Sequence, residues 1–229
     1  MIYDGVEYEE RYGYWHAVRN VSNHNSYLTL PEEIQGKQVI GIDAHVFADN
    51  ETIQVVEIPA TITEIDNFAF AGCTNLHTVK ERWSRASSKN KAIHLNKGVF
   101  QGCKKLIKVL LPAGIWLTDE AVFQRCHKLE TIGTTGENKI YGNIPKNSFQ
   151  ACISLGHLTI VTPNCYIQNN AFNWCSNLKT ITFLSDNVEC SDDDTWDSLY
   201  RAKLRCLPQC NLVDLSYDGA EIEIIETHP

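Results

Sequence analysis

The stretch IDNFAFAGCTNLHTV, residues 65–79, decides the fold. Taken alone it invites a catalytic reading, because Gly72 and Cys73 stand a few residues from His77. The rest of the chain removes that reading, since the same frame recurs as IDAHVFADNETIQVVEI, NKGVFQGCKKLIKVLL, DEAVFQRCHKLETI, IPKNSFQACISLGHLTI and IQNNAFNWCSNLKTITF. The anchors Phe47, Phe70, Phe100, Phe123, Phe149 and Phe172 are spaced by 23, 30, 23, 26 and 23 residues. Three residues after each comes Asn50, Cys73, Cys103, Cys126, Cys152 or Cys175, and three further on Ile53, Leu76, Leu106, Leu129, Leu155 or Leu178. Six registers of this kind mark a structural repeat, and repeats are read before any site.

Two periods make up the unit. Ile65, Ala69, Phe70 and Cys73 share one side of a helical turn, which predicts a short helical segment. Leu76, Val79 and the alternation beyond them predict a strand, which the proline of IPA, LPA or VTP closes in three copies. A unit of about 23 residues cannot bury its own apolar face, whereas stacked units bury a continuous core. The expected result is one parallel sheet backed by helical turns, with the Phe residues in a column.

The pattern I-x-x-x-A-F-x-x-C-x-x-L-x-x-I, with "IPATITEI" linking units and "LTLPEEIQGKQVIGIDAHVF" leading in, closely resembles the leucine-rich repeats of the BspA type, also called the Treponema pallidum class. The resemblance covers roughly residues 26 to 183. It implies an α/β chain: a curved right-handed leucine-rich-repeat solenoid with a parallel β-sheet on the concave face and short helical turns on the opposite side. Many members of this family are bacterial or protist surface proteins that bind other proteins. "NKIYGNIPKNSF" imitates the plant-type repeat, but its neighbours lack that pattern.

The array needs capped ends. Residues 1–25 alternate around Tyr3, Val6, Tyr8, Tyr14, Trp15 and Val18, which predicts an N-terminal capping hairpin. Residues 26–183 form the array of about six repeats, and 184–229 a degenerate repeat with a C-terminal cap. In that last part VECSDDDTWDSLYRAKL predicts an acidic N-cap and a helix, and EIEIIE a final edge strand.

With 229 residues, 43% hydrophobic and 21% charged, the chain has an ordinary globular composition. No apolar run reaches the roughly 20 residues of a membrane helix. The start MIYDGVEYEE does not read as a secretory signal, so a natural start at Met1 implies a cytoplasmic protein and a trimmed signal implies a secreted or surface one. The net charge of −8 argues against binding polyanions over the whole surface.

Catalytic and metal chemistry find little footing. The repeated cysteines suit a small buried hydrophobe where the turn meets the strand. Stacked thiols with parallel Cβ vectors oppose the disulfide torsion. Zinc pairs of the C-x-x-C kind are absent, and Cys206 and Cys210 have no His partner nearby. Cys126 and His127 are adjacent in sequence, so their side chains diverge. Asp192, Asp193 and Asp194 could hold calcium, but a capping run before a helix is the commoner use of such residues. Asn20 and Asn50 match the glycosylation sequon. No phosphate-binding glycine loop, cofactor or catalytic residue is expected.

Binding residues follow from the strand alternation, which puts Tyr27 and Thr29, Val55 and Glu57, Thr78 and Lys80, Lys108 and Leu110, Thr131 and Gly133, His157 and Thr159, and Thr180 and Thr182 on the concave side. Thr favours strands in any case, but the Tyr, Val, Lys, Leu and His residues need another account. The 30-residue spacing inserts KERWSRASSKNK, residues 80–91, where Lys80, Arg82, Arg85, Lys89 and Lys91 face only Glu81, a net +4 against −12 for the remainder. Trp83 between Arg82 and Arg85 is a natural anchor. The expected function is a noncatalytic protein-binding module using the concave face and this loop. The alternative is recognition of nucleic acid or another polyanion through the loop.

Overall fold

The computed structural model describes residues 1–22, 26–82, 92–111, 114–133, 138–191, 202–212 and 221–225. Strands β1 (Ile2–Tyr3), β2 (Val6–Arg11) and β3 (Tyr14–Asn20) open the chain. The β2–β3 hairpin is antiparallel and turns through Tyr12 and Gly13 at φ of 53° and 85°, the left-handed pair that a tight hairpin favours. Next come β4 (Tyr27–Thr29), β5 (Glu33–Ile34) and β6 (Lys37–Ile42), the last pairing in parallel with β3.

Each later coil contributes two short strands: β7 (Val55–Pro59) and β8 (Glu64–Ile65), β9 (Thr78–Arg82) and β10 (Ile93–Leu95), β11 (Lys108–Leu110) and β12 (Ile115–Leu117), β13 (Thr131–Ile132) and β14 (Lys139–Tyr141). They continue as β15 (His157–Val161) and β16 (Asn164–Ile167), β17 (Thr180–Leu184) and β18 (Asn187–Cys190), and β19 (Lys203–Cys206) and β20 (Asn211–Leu212), before β21 (Ile222–Ile224). The result is a parallel β-solenoid of about seven turns.

Two strand tracks therefore replace the single sheet expected from the repeat. Strands β4, β7, β9, β11 and β13 form one parallel sheet. A 13-stranded sheet runs from the hairpin through β6, β8, β10, β12 and β14, then crosses to β15, β17, β19 and β21. Strand β14 makes the crossing, pairing Tyr141 with Trp116 on one side and with Val161 on the other. Asn138, 1% exposed, stitches the interrupted track. Its Nδ2 donates to the carbonyls of Glu130 (2.9 Å) and His157 (3.0 Å), and its Oδ1 accepts from the Ile132 N–H at 2.9 Å.

The short helical turns are a second correction: among the described residues there is no helix. The Phe segments are runs of tight turns whose amide groups alternate in destination. Ala69, Ala71 and Cys73 donate within the coil to Asp66, Phe68 and Phe70, at 3.2, 3.0 and 3.2 Å. Phe68, Phe70 and Gly72 donate instead to Lys97, Val99 and Gln101 of the next coil, at 2.8, 3.0 and 2.8 Å. A helix would keep every amide for its own turn. Here half of them tie coils together, and left-handed residues four apart, Phe68 and Gly72 at φ of 56° and 71°, break the helical screw.

The Phe-x-x-Cys-x-x-Leu spacing now has a cause. The Cys73 N–H bonds the Phe70 carbonyl and the Leu76 N–H bonds the Cys73 carbonyl, so the three anchors are the hinges of two consecutive turns. The six rings stack with centroids 5.0–5.6 Å apart and planes within 16°. All are fully buried, each contributing about 1.5–3 kcal/mol through apolar burial.

Candidate functional site

The outward face of the first-strand track carries the candidate residues. Within each strand the middle residue, Leu28, Val56, Val79, Val109, Ile132, Leu158 or Ile181, is buried in the core, so its neighbours emerge on the other side. Tyr27, Val55, Thr78, Lys108 and Thr131 lie in register as one row, and Thr29, Glu57, Lys80 and Leu110 as the next. Beyond the crossing, His157 faces Thr180 and Thr159 faces Thr182. Gly133 departs from this pattern: it is buried, with φ of 80°, and a Cβ there would lie 2.9 Å from the Lys139 carbonyl oxygen.

At the N-terminal end the charges satisfy one another. The Tyr27 hydroxyl donates to Glu57 Oε1 at 2.5 Å, Lys80 Nζ reaches the same oxygen at 2.8 Å, and the ammonium also sits 5.7 Å from the Tyr27 ring centre. The Lys80 hydrogen bond, then that of Tyr27, holds the Glu57 carboxyl below its ordinary range, and the same contact raises Lys80. Arg82 is exposed at the end of β9. Trp83, Arg85 and the rest of the loop to residue 91 lie outside the described residues, as does the acidic run and helix expected over 192–201.

The C-terminal half differs, and sequence reasoning reached only part of it. A groove of about 810 Å³ opens there, lined by His157, Thr159, Thr180 and Thr182 together with Lys139, Lys179 and Arg205. Lys139 was missed because it belongs to the second strand of its coil, Arg205 because its coil has no Phe anchor, and Lys179 because it lies one residue before β17. For Lys139 and Arg205 the signal was the alternation in NKIY and AKLRC. A second hollow of about 410 Å³ adjoins it, over Trp116, Tyr141, Val161 and Leu184. Trp116 is 39% exposed and stacks between His94 and Tyr141.

The cysteine ladder is structural. Each thiol donates to the phenylalanine carbonyl of the preceding coil: Cys73 to Phe47, Cys103 to Phe70, Cys126 to Phe100, Cys152 to Phe123 and Cys175 to Phe149, at 3.0–3.1 Å. Burial pushes the thiols of Cys103, Cys126 and Cys152 well up and that of Cys175 to about 12, the opposite of an activated nucleophile. All nine cysteines are free. In the first copy Asn50 takes the corner, its Oδ1 accepting from the Thr52 and Ile53 N–H groups at 2.9 Å each, so this 7% exposed sequon asparagine is a turn residue. Among the described residues no three His, Cys, Asp or Glu side chains gather as metal ligands.

Comparison with known proteins follows the same line. The family described as the BspA type leucine rich repeat region matches residues 82–195 in six copies. No curated protein matches the chain. Among solved structures, the T. pallidum leucine-rich repeat protein superposes with a TM-score of 0.53 over 93% of this chain and 99% of its own, at 16% identity, and so shares the fold. A leucine-rich repeat protein from Bacteroides capillosus gives 0.48 at 19% identity over 59% of this chain and 98% of its own. A leucine-rich cell surface protein from Faecalibacterium prausnitzii gives 0.47 at 17% identity over 82% and 72%. With its repeated Phe–Cys–Leu turns and two-track solenoid, this chain carries a BspA-type leucine-rich-repeat region over residues 82–195.

Proposed function

We propose that the chain is a noncatalytic protein-interaction module that holds its partner against the outward face of the first-strand track. One observation carries the reading. The inward residues repeat from coil to coil, whereas the outward ones change from Tyr27 to Val55, Thr78 and Lys108, so the coil does not need their identity. A rigid face of this kind loses little entropy on docking. The reading needs no cofactor and rests no step on a catalytic group.

The test is capture of a partner from the source organism by the wild-type chain and by His157→Glu. Retention by the wild type and loss by the variant, with both folded, supports the face; equal capture refutes it. Recognition of nucleic acid or another polyanion through residues 80–91 is the second reading, carried by the five cations there. Lys80 is already engaged by Glu57, which leaves the weight on Arg82 and the residues after it. Binding that falls steeply with salt and disappears with Arg82→Glu plus Arg85→Glu supports this reading. Salt-insensitive binding refutes it.

A further inference from the structure

Where β14 carries the sheet from one track to the other, two unlike rows come side by side. Lys139, Thr159, Thr182 and Arg205 stand in register across β14, β15, β17 and β19. Two residues along, Tyr141, Val161 and Leu184 form a parallel apolar row, extended by Trp116. Among the described residues lining the basic groove none is a carboxylate, although the chain as a whole carries −8; Asp186 lines the hollow beside it. Leu184 borders both this groove and the apolar hollow, so the two are one continuous surface.

The chain shows how a carboxylate sits on this row. Glu223 of β21 stands in register with Arg205, its Oε2 3.3 Å from Arg205 Nε and 3.3 Å from Lys203 Nζ. Lys139 and Arg205 are three strand spacings apart, about 14 Å at roughly 4.8 Å each, which an extended chain covers in about four residues. The apolar row lies about 7 Å to the side, within reach of the same segment.

We propose that this half of the face is the docking groove for an extended acidic polypeptide segment. Its carboxylates lie over Lys139, Lys179 and Arg205, and an apolar side chain enters the hollow beside Tyr141 and Leu184. The proposal rests on the protein-binding reading above and names the chemistry of its partner. Nucleic acid fits less well, because it brings a charge at every unit and no aliphatic side chain for the hollow.

The experiment is a fluorescence-anisotropy titration of the full chain with three probes: a Glu-rich peptide carrying one Leu, the same peptide with Gln for Glu, and a single-stranded oligonucleotide. The acidic peptide binds at least about tenfold more tightly than the Gln peptide, and Lys179→Glu or Arg205→Gln weakens it by about tenfold with an unchanged melting temperature. Lys104→Glu, in an exposed turn away from the strand face, leaves it unchanged. Equal binding of the Gln peptide, tighter binding of the oligonucleotide, or no peptide binding to the folded chain overturns the proposal. If the peptide fails while a captured partner is still lost with His157→Glu, only the acidic-segment proposal falls. If capture is also indifferent to that substitution, the face reading falls with it.

Discussion

The inward and outward sides of the same strands obey different rules. Inside, every described coil from the first to the sixth Phe presents a stacked ring and a hydrogen-bonded turn corner, so each coil is a template for the next. Outside, one end holds a self-satisfied Tyr27–Glu57–Lys80 cluster and the other a groove bearing Lys139, Lys179 and Arg205. Stability thus resides in what repeats, and the proposed recognition in what does not.

The comparison breaks first at the ring column. Phe123→Ala, whose ring stacks on both Phe100 and Phe149, is expected to cost about 3–5 kcal/mol in denaturant unfolding. An unchanged midpoint would show that the column is not what holds the coils. Asn138→Ala leaves the Ile132 N–H and the Glu130 and His157 carbonyls without their partner, with an expected loss of about 2–4 kcal/mol. Cys126→Ala, which removes a thiol donor and a small buried volume, is expected to cost about 1–2 kcal/mol. In the folded protein Cys126 should resist thiol reagents until unfolding.

On the outward side the effects shrink. Glu57→Gln is expected to cost less than about 1 kcal/mol, because solvent screens the Lys80 pair. The pH dependence has a definite sign: the folded carboxyl of Glu57 lies below its ordinary value, so the pair contributes above that value and its contribution disappears as pH falls through the lowered one. Unfolding midpoints of wild type and Glu57→Gln should therefore converge on acidification.

Much of this was legible in the sequence because it depends on contacts repeated at one spacing. Phe, Cys and Leu three apart announced the unit, and strand alternation placed Thr78, Lys80, Thr159 and Thr182 on one face. The turns were misread as helical because Phe68, Arg125 and Ala151 adopt left-handed backbone without being glycine, each donating its amide to the next coil. That conformation is imposed by donating amides to the next coil, a nonlocal cause. The second track hid in two- and three-residue strands such as Glu64–Ile65. The groove was only half visible because β14 switches track, and no spacing in one coil reveals which strand it joins in the next.

The most direct test of the division between the two sides is the affinity of the captured partner for His157→Glu, read beside its melting temperature. The account predicts a loss of at least about tenfold in affinity with a melting shift within about 2 °C, since His157 is exposed on the outward face. Unchanged affinity in a folded variant would contradict it.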